Sequence, residues 1–262
     1  MQAGSLLHWR RGNPWLEAQE KYLKSGLIVP DSRPRIAVLI PALNEETTLP
    51  RVLADLPKDV VEEVVVVDNG SSDRTATIAR AGGATVLNEP HRGYGWACLA
   101  GVAYLRTKKP DIVVFLDGDY SDYPEELPAV VQPIVEKEYD LVIGSRTKGT
   151  RERGALLPQA RFGNALATSL IRLLYGFSYS DLGPFRAIRF SSLLDLGMKD
   201  CTYGWTVEMQ IKAVRHGLRI TEVPVHYRKR AGGKSKVSGT LRGTVLAGYK
   251  ILWTVFRYAR ES

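Results

Sequence analysis

A chain of 262 residues with 44% hydrophobic and 24% charged residues has the make-up of an ordinary globular protein. This excludes a disordered or fibrous chain and suits one well-buried α/β domain with appendages. The formal net charge of +8 gives a surface that attracts anions, whether nucleic acid, acidic lipid headgroups or phosphorylated substrates.

Residues 1–33 read as an N-terminal extension, with Trp9, Trp15 and Leu16 available for packing and Pro30 to Pro34 as the joint. Its opening, MQAGSLLHWRRGNPW, lacks the long apolar core of a secretory signal. Cys98 and Cys201 lack the spacing of a zinc site or disulfide framework, so a reducing cytoplasmic setting is expected. The main domain is expected over 34–238. It opens with Arg35-Ile-Ala-Val-Leu-Ile40, a short β-branched apolar run closed by Pro41, which predicts a buried strand. A helix should follow, capped by Asn44 or Thr47, with Leu49, Val52, Leu53 and Leu56 at helical spacing.

Val64 to Val67 is a second buried strand running into Asp68-Asn69-Gly70-Ser71-Ser72-Asp73. Asp73 starts a helix through Arg80, a short strand covers Ala84 to Leu87, a helix spans Gly95 to Arg106, and Ile112 to Leu116 is another buried strand. Alternating strands and helices predict a mostly parallel sheet covered on both faces, whose ligand crevice lies beyond the carboxyl ends of the strands. Asn44-Glu45, Asp68-Asn69 and Asp117 to Asp119 all fall at those ends.

Asp117 and Asp119 follow a buried strand one residue apart, so an extended backbone points both to the same side, and Gly118 leaves room for the turn. Paired oxygen ligands suit magnesium or manganese, with phosphate oxygens completing the shell. Such an ion neutralises charge on a departing diphosphate. Asp68 closes its strand where it can accept from a base or ribose, and Gly70 and Ser71 permit a tight turn with free N–H groups; turn and cap roles are the plain alternative. In His91-Arg-Gly-Tyr-Gly-Trp96, Gly93 allows close backbone approach and Arg92 can meet phosphate.

Pro41-Ala-Leu-Asn-Glu45, Val65-Val-Val-Asp68, Leu116-Asp-Gly-Asp119, Gly144-Ser-Arg146 and Asp181-Leu-Gly-Pro-Phe-Arg186 occur in order and at suitable spacing. Together they resemble glycosyltransferase family 2, especially its polyprenyl-phosphate (dolichyl-phosphate) mannosyl- and glucosyltransferase-like branch, over about Arg35 to Lys236. The resemblance implies a GT-A fold, inversion at the anomeric carbon, a UDP- or GDP-sugar donor and a divalent metal held by Asp117 and Asp119. It assigns Pro41, Ala42, Asn44, Glu45, Asp68, Gly70, Gly93, Gly118 and Arg146 to the donor. A metal-assisting polar residue often lies two positions beyond the acidic pair; here it is Ser121, a poorer ligand.

In the second half, Arg186 suits a phosphate or, alternatively, a structural ion pair. Glu208, in Tyr203-Gly-Trp-Thr-Val-Glu-Met209, or Asp181 would be the general base for a hydroxyl acceptor, whereas a lipid phosphate is already anionic. Arg230, Ser235 and Lys236 match the R-x-x-x-x-S-K pattern of the branch this sequence resembles, which implies a loop able to close over diphosphate; a solvated cationic tail is the alternative. Arg161 to Phe177 reads as an amphipathic helix, either core-packing or membrane-facing.

A C-terminal amphipathic helix is expected over 239–262. No run reaches the roughly 18 apolar residues of a membrane span, and Lys250 interrupts the nearest candidate, Thr244 to Phe256. The expected partners are a nucleotide-sugar donor and a lipid-phosphate or other acceptor, with peripheral contact at the cytoplasmic membrane face. Nucleic acid is not expected, because acidic residues gather where its channel should be cationic.

Overall fold

The computed structural model describes residues 33–232 and 241–260. A seven-stranded sheet runs through it in the order β3-β2-β1-β4-β6-β5-β7. In chain order its elements are β1 (Ile36–Ala42), α1 (Leu49–Asp55), β2 (Glu63–Asp68), α2 (Thr75–Ala81), β3 (Thr85–Asn88), α3 (Tyr94–Lys108) and β4 (Ile112–Phe115). There follow a 3-10 turn (Pro124–Glu126), α4 (Leu127–Lys137), β5 (Leu141–Ser145), α5 (Pro158–Tyr175), β6 (Arg186–Arg189) and α6 (Phe190–Asp195). The chain then forms α7 (Trp205–Arg215), β7 (Ile220–Pro224) and α8 (Leu241–Arg260).

The period of two in β1 explains the layering. Ala37 and Leu39 enter one core with α3, α7 and α8, through Cys98, Leu105, Met209 and Val255. Ile36, Val38 and Ile40 enter a second core with α1 and α4, through Leu49, Val52, Val130 and Ile134. Both faces of the strand are therefore dry, which is why it reads as an unbroken apolar run. Burying each such side chain contributes about 1.5–3 kcal/mol.

The mostly parallel GT-A-like sheet has one reversal. β6 runs antiparallel to both β4 and β5, with Phe115 opposite Arg186 and Ile143 opposite Arg186. Its N-terminal end, preceded by Asp181, therefore lies beside the carboxyl ends of β4 and β5. β7 pairs parallel with β5, Pro224 opposite Ser145, so the segment after β7 leaves at that same edge.

Several local expectations change. Neither Asn44 nor Thr47 caps α1: the helix starts at Leu49 after Thr48, with no side-chain cap. The Asn44 amide oxygen instead accepts from Ser72 N at 2.8 Å. Asp73 precedes α2 and accepts from Thr75 N at 3.0 Å. The helix expected to begin at Gly95 begins at Tyr94, and the one expected over Arg161 to Phe177 runs over Pro158–Tyr175. The N-terminal extension, with its tryptophans, lies outside the described residues.

Candidate active site

The crevice begins where β1 and β2 end together, Pro41 opposite Val67 and Ala42 opposite Asp68. Asn44 takes a left-handed conformation, φ 53°, tolerable for asparagine because its side chain hydrogen-bonds locally. Its own N–H donates to Ser71 Oγ at 2.9 Å, and Glu45 N donates to Thr75 Oγ1 at 2.8 Å. The two strand-end loops are thereby laced into one wall. Asp68 is buried and accepts from Ser71 N at 3.3 Å. Gly70, at φ 77°, makes the left-handed turn and lies against the Arg92 guanidinium.

Gly93 connects this wall to the second half. Its N–H donates to Asn69 Oδ1 at 2.8 Å. A Cβ there would lie 2.3 Å from the Cys201 carbonyl oxygen, and only glycine tolerates that approach.

Asp117 and Asp119 lie just beyond β4. Burial, and then the charge of Asp119, pushes the Asp117 carboxyl up to about 7. Asp119 accepts from Ser121 N at 2.9 Å and from Arg230 Nε at 3.2 Å. Arg230 also donates to Glu45 Oε1 at 3.0 Å, so it bridges the loops after β1, β4 and β7. Thr48 Oγ1 lies 2.8 Å from the Gly118 carbonyl oxygen and 2.9 Å from Glu45 Oε2, and its one proton is shared between these two acceptors. Among the described residues, no group of three or more His, Cys, Asp and Glu side chains is arranged to hold a metal ion. The adjacent carboxylates nevertheless fit a hard cation whose remaining ligands come from phosphate.

Arg146, after β5, is nearly buried and grips Asp181 bidentately, Nε to Oδ2 at 2.8 Å and Nη2 to Oδ1 at 2.7 Å. Its guanidinium lies 5.1 Å from the centroid of the Tyr227 ring. Asp181 is thus an ion-pair partner, which weakens its reading as a general base.

Two sequence assignments are corrected. Arg186 is fully buried and donates to the carbonyls of Leu182, Gly183 and Thr206. Burial pulls its pKa down to about 10. With its guanidinium committed to backbone oxygens, it braces the segment after Asp181 instead of reaching phosphate. Glu208 is also fully buried: it accepts from Lys199 N, from Asp200 N and from the Tyr258 hydroxyl at 2.6 Å, and pairs with Lys212 at 2.8 Å. It ties α7 to α8, with its carboxylate engaged inside the fold. Ser235 and Lys236 lie outside the described residues.

The structure adds groups that motif reading passed over. Tyr94 is partly buried, with its hydroxyl shielded from solvent and beside Asp117. Arg228 donates to the carbonyls of Tyr120 (2.8 Å) and Asp122 (3.1 Å). Asp122 itself is buried, and among the described residues no hydrogen-bond partner reaches its carboxylate oxygens. Only the position of Asp122, three residues after Asp119, was visible beforehand.

Comparison with known proteins agrees with this architecture. The family model for glycosyl transferase family 2 matches residues 37–197. An uncharacterized glycosyltransferase of Mycobacterium tuberculosis is 40% identical over 213 residues, 81% of this chain and 94% of that one. The undecaprenyl-phosphate mannosyltransferase of Micrococcus luteus is 35% identical over 224 residues, 80% of this chain and 90% of that one. Among solved structures, glucosyl-3-phosphoglycerate synthase from Mycobacterium tuberculosis, crystallised with Mn2+, UDP and glucosyl-3-phosphoglycerate, superposes with a TM-score of 0.69. It is 25% identical, and the match covers 87% of this chain and 80% of that one. With a crevice built from the ends of β1, β2 and β4 and a family model that spans it, the chain belongs to glycosyl transferase family 2.

Proposed function

We propose that this chain moves a hexose from a UDP- or GDP-sugar to a polyprenyl phosphate at a membrane face, with inversion at the anomeric carbon. The observation that carries the acceptor side is the distribution of exposed apolar side chains. Apart from Trp96, those that are large fall on α5 (Phe162, Leu166, Leu173, Leu174) and α8 (Val245, Leu246, Tyr249, Trp253, Phe256) among the described residues. Phe162, Leu173 and Tyr249 are 71%, 78% and 67% exposed. Arg161, Arg172 and Arg260 are exposed on the same two helices. Apolar and cationic side chains together suit an interface with anionic lipid. No described helix is long and apolar enough to cross a membrane.

A cleft of about 590 Å³ beside α5 is lined by Arg151, Leu156, Arg161 and Phe162 together with Thr147 and Ser180. Ser180 bonds the hydroxyl of Ser145, next to Arg146. An acceptor phosphate between the arginines, with its chain along Phe162, would present oxygen toward the sugar. A phosphate is anionic and needs no strong base, which agrees with Glu208 being engaged inside the fold.

On the donor side, Asp68 and the Asn44–Glu45 loop bind the nucleoside, with Pro41, Ala42, Gly70 and Gly93 admitting close approach. Asp117 and Asp119 would hold magnesium or manganese, which would neutralise charge on the departing diphosphate. Arg230 pairs with Asp119 and can turn to phosphate. Mn2+ and UDP in the structural relative support this assignment.

Labelled UDP- and GDP-sugars incubated with polyprenyl phosphate in vesicles test the reading, and labelled lipid in the organic phase is expected. The structural relative has also been crystallised with phosphoglyceric acid, which supports a second reading, a soluble phosphorylated acceptor. Transfer to phosphoglycerate with no lipid product would replace the first reading with the second.

A further inference from the structure

Immediately beyond the acidic pair, the turn at Tyr120 to Asp122 is held more firmly than a surface turn requires. Tyr120 occupies the left-handed region at φ 62°, an uncommon conformation for a bulky residue and costly unless its surroundings impose it. They do so from several directions. The Tyr120 hydroxyl bonds Asp55, the Arg228 guanidinium lies 3.4 Å from the centroid of its ring, and Arg228 also binds the carbonyls of Tyr120 and Asp122. A backbone bridge joins Asp122 to Tyr227.

The product of this bracing is a side chain turned inward. Asp122 is 1% exposed, and among the described residues neither of its carboxylate oxygens has a hydrogen-bond partner. A buried carboxyl in this state contributes nothing to the fold and normally calls for an explanation. The side-chain charges that act on it most strongly belong to Asp117, Asp119, Arg146 and Asp181. Arg146 is the one cation in that set and is already bidentate on Asp181. Burial, followed by the neighbouring carboxylates, pushes Asp122 well above the usual carboxylate range. Arg228 and Arg230 spend their charge on the Asp122 backbone carbonyl and on Asp119 and Glu45, and neither is hydrogen-bonded to the Asp122 carboxylate.

We propose that Asp122 is a further acidic residue of the cation site, supplying charge to a divalent ion held by Asp117 and Asp119. It acts as a positioning and charge-balancing group for the ion, with no contact to sugar or acceptor required. The inference rests on the reading of Asp117 and Asp119 as the ligands, and the experiment separates the two.

The full-length metal-free protein is titrated with Mn2+, with and without UDP, and free ion is followed by electron paramagnetic resonance. Thermal unfolding is measured in chelator. Asp122→Asn is expected to weaken Mn2+ binding about 10- to 100-fold, the range for groups that support metal ligands. Its metal-free melting temperature should equal or exceed that of the unaltered protein, because a buried unpaired acid has been neutralised. A purely structural residue would move the opposite way, with lower melting temperature and unchanged affinity. Asp122→Ser makes the same test should the amide variant fail to fold. Mn2+ affinity within twofold of the unaltered protein, where Asp119→Asn lowers it strongly, would overturn the role of Asp122 alone. Equal and negligible Mn2+ binding by the unaltered protein and Asp119→Asn would remove the cation site and this inference together.

Discussion

At the carboxyl ends of β1, β2 and β4 the side chains are polar, largely buried and mutually engaged, whereas on the outer faces of α5 and α8 they are apolar and exposed. The first region is organised before any ligand arrives: Asn44 is locked to the turn after β2, Glu45 to Thr48, and Arg230 to Glu45 and Asp119. The second has little to organise it beyond the helices beneath. Polar groups in a dry crevice must be satisfied by fixed partners, so their geometry is specified in advance. An apolar surface gains by being covered and needs no exact geometry, as expected for contact with a fluid partner.

Breaking the crevice should have the largest effect. Asp117→Ala or Asp119→Ala is expected to lower kcat/KM about 1,000-fold or more with saturating Mn2+, since several kcal/mol of leaving-group stabilisation are lost. Steady-state transfer assays check it, and activity within tenfold of the unaltered protein would refute the metal assignment. Arg230→Ala should cost about 100-fold, with partial rescue by lysine, which keeps the charge but not the fork that spans Glu45 and Asp119. It should also lower the metal-free melting temperature, because two nearly buried carboxylates lose their counter-charge.

On the helical face, combining Leu173→Ser, Tyr249→Ser and Phe256→Ser should reduce co-sedimentation with anionic vesicles about 10-fold or more, given about 1.5–3 kcal/mol per large apolar side chain if fully buried. Donor hydrolysis should change less than twofold. Loss of both would mean that the two regions are one cooperative unit. The smallest effect on turnover is expected from Glu208→Ala, which should leave kcat within about threefold yet destabilise the fold by about 3 kcal/mol by stranding Lys212 in the interior. A normal melting temperature with abolished transfer would restore Glu208 as a catalytic residue.

The crevice also predicts a pH dependence. Asp117 has a folded pKa of about 7, above its unfolded value near 4. The native state therefore binds more protons between those values, and stability is lost as pH rises through that window. The metal-free melting temperature should fall between about pH 4 and 7, Asp117→Asn should flatten the fall, and Mn2+ should oppose it. A slope unchanged in Asp117→Asn would show that other groups titrate.

Much of the first half was legible because its signals are local. A strand buried on both faces is an apolar run whatever lies beside it, and β1, β2 and β4 fall within a few residues of their predicted positions. The second half was harder. β5, β6 and β7 are four or five residues long, β7 is only partly buried, and α4 carries Pro133 within the helix, so pattern alone did not reveal them. Glu208 and Arg186 show the complementary failure, because sequence cannot tell a buried structural ion from one facing a ligand.

The amino-acid sequence by itself determined the α/β alternation, the strand-end position of Asp68, Asp117 and Asp119, and the family to which such an order of motifs belongs. Each of these depends on periodicity or on neighbours a few residues away. Only the tertiary structure decided that Arg230 meets Asp119 and Glu45, that Arg186 and Glu208 face inward, and that the Asp122 carboxylate has no hydrogen-bond partner among the described residues. Those outcomes depend on segments up to 185 residues apart and on burial, which changes a charge from an ordinary surface group into a demand for a counter-charge.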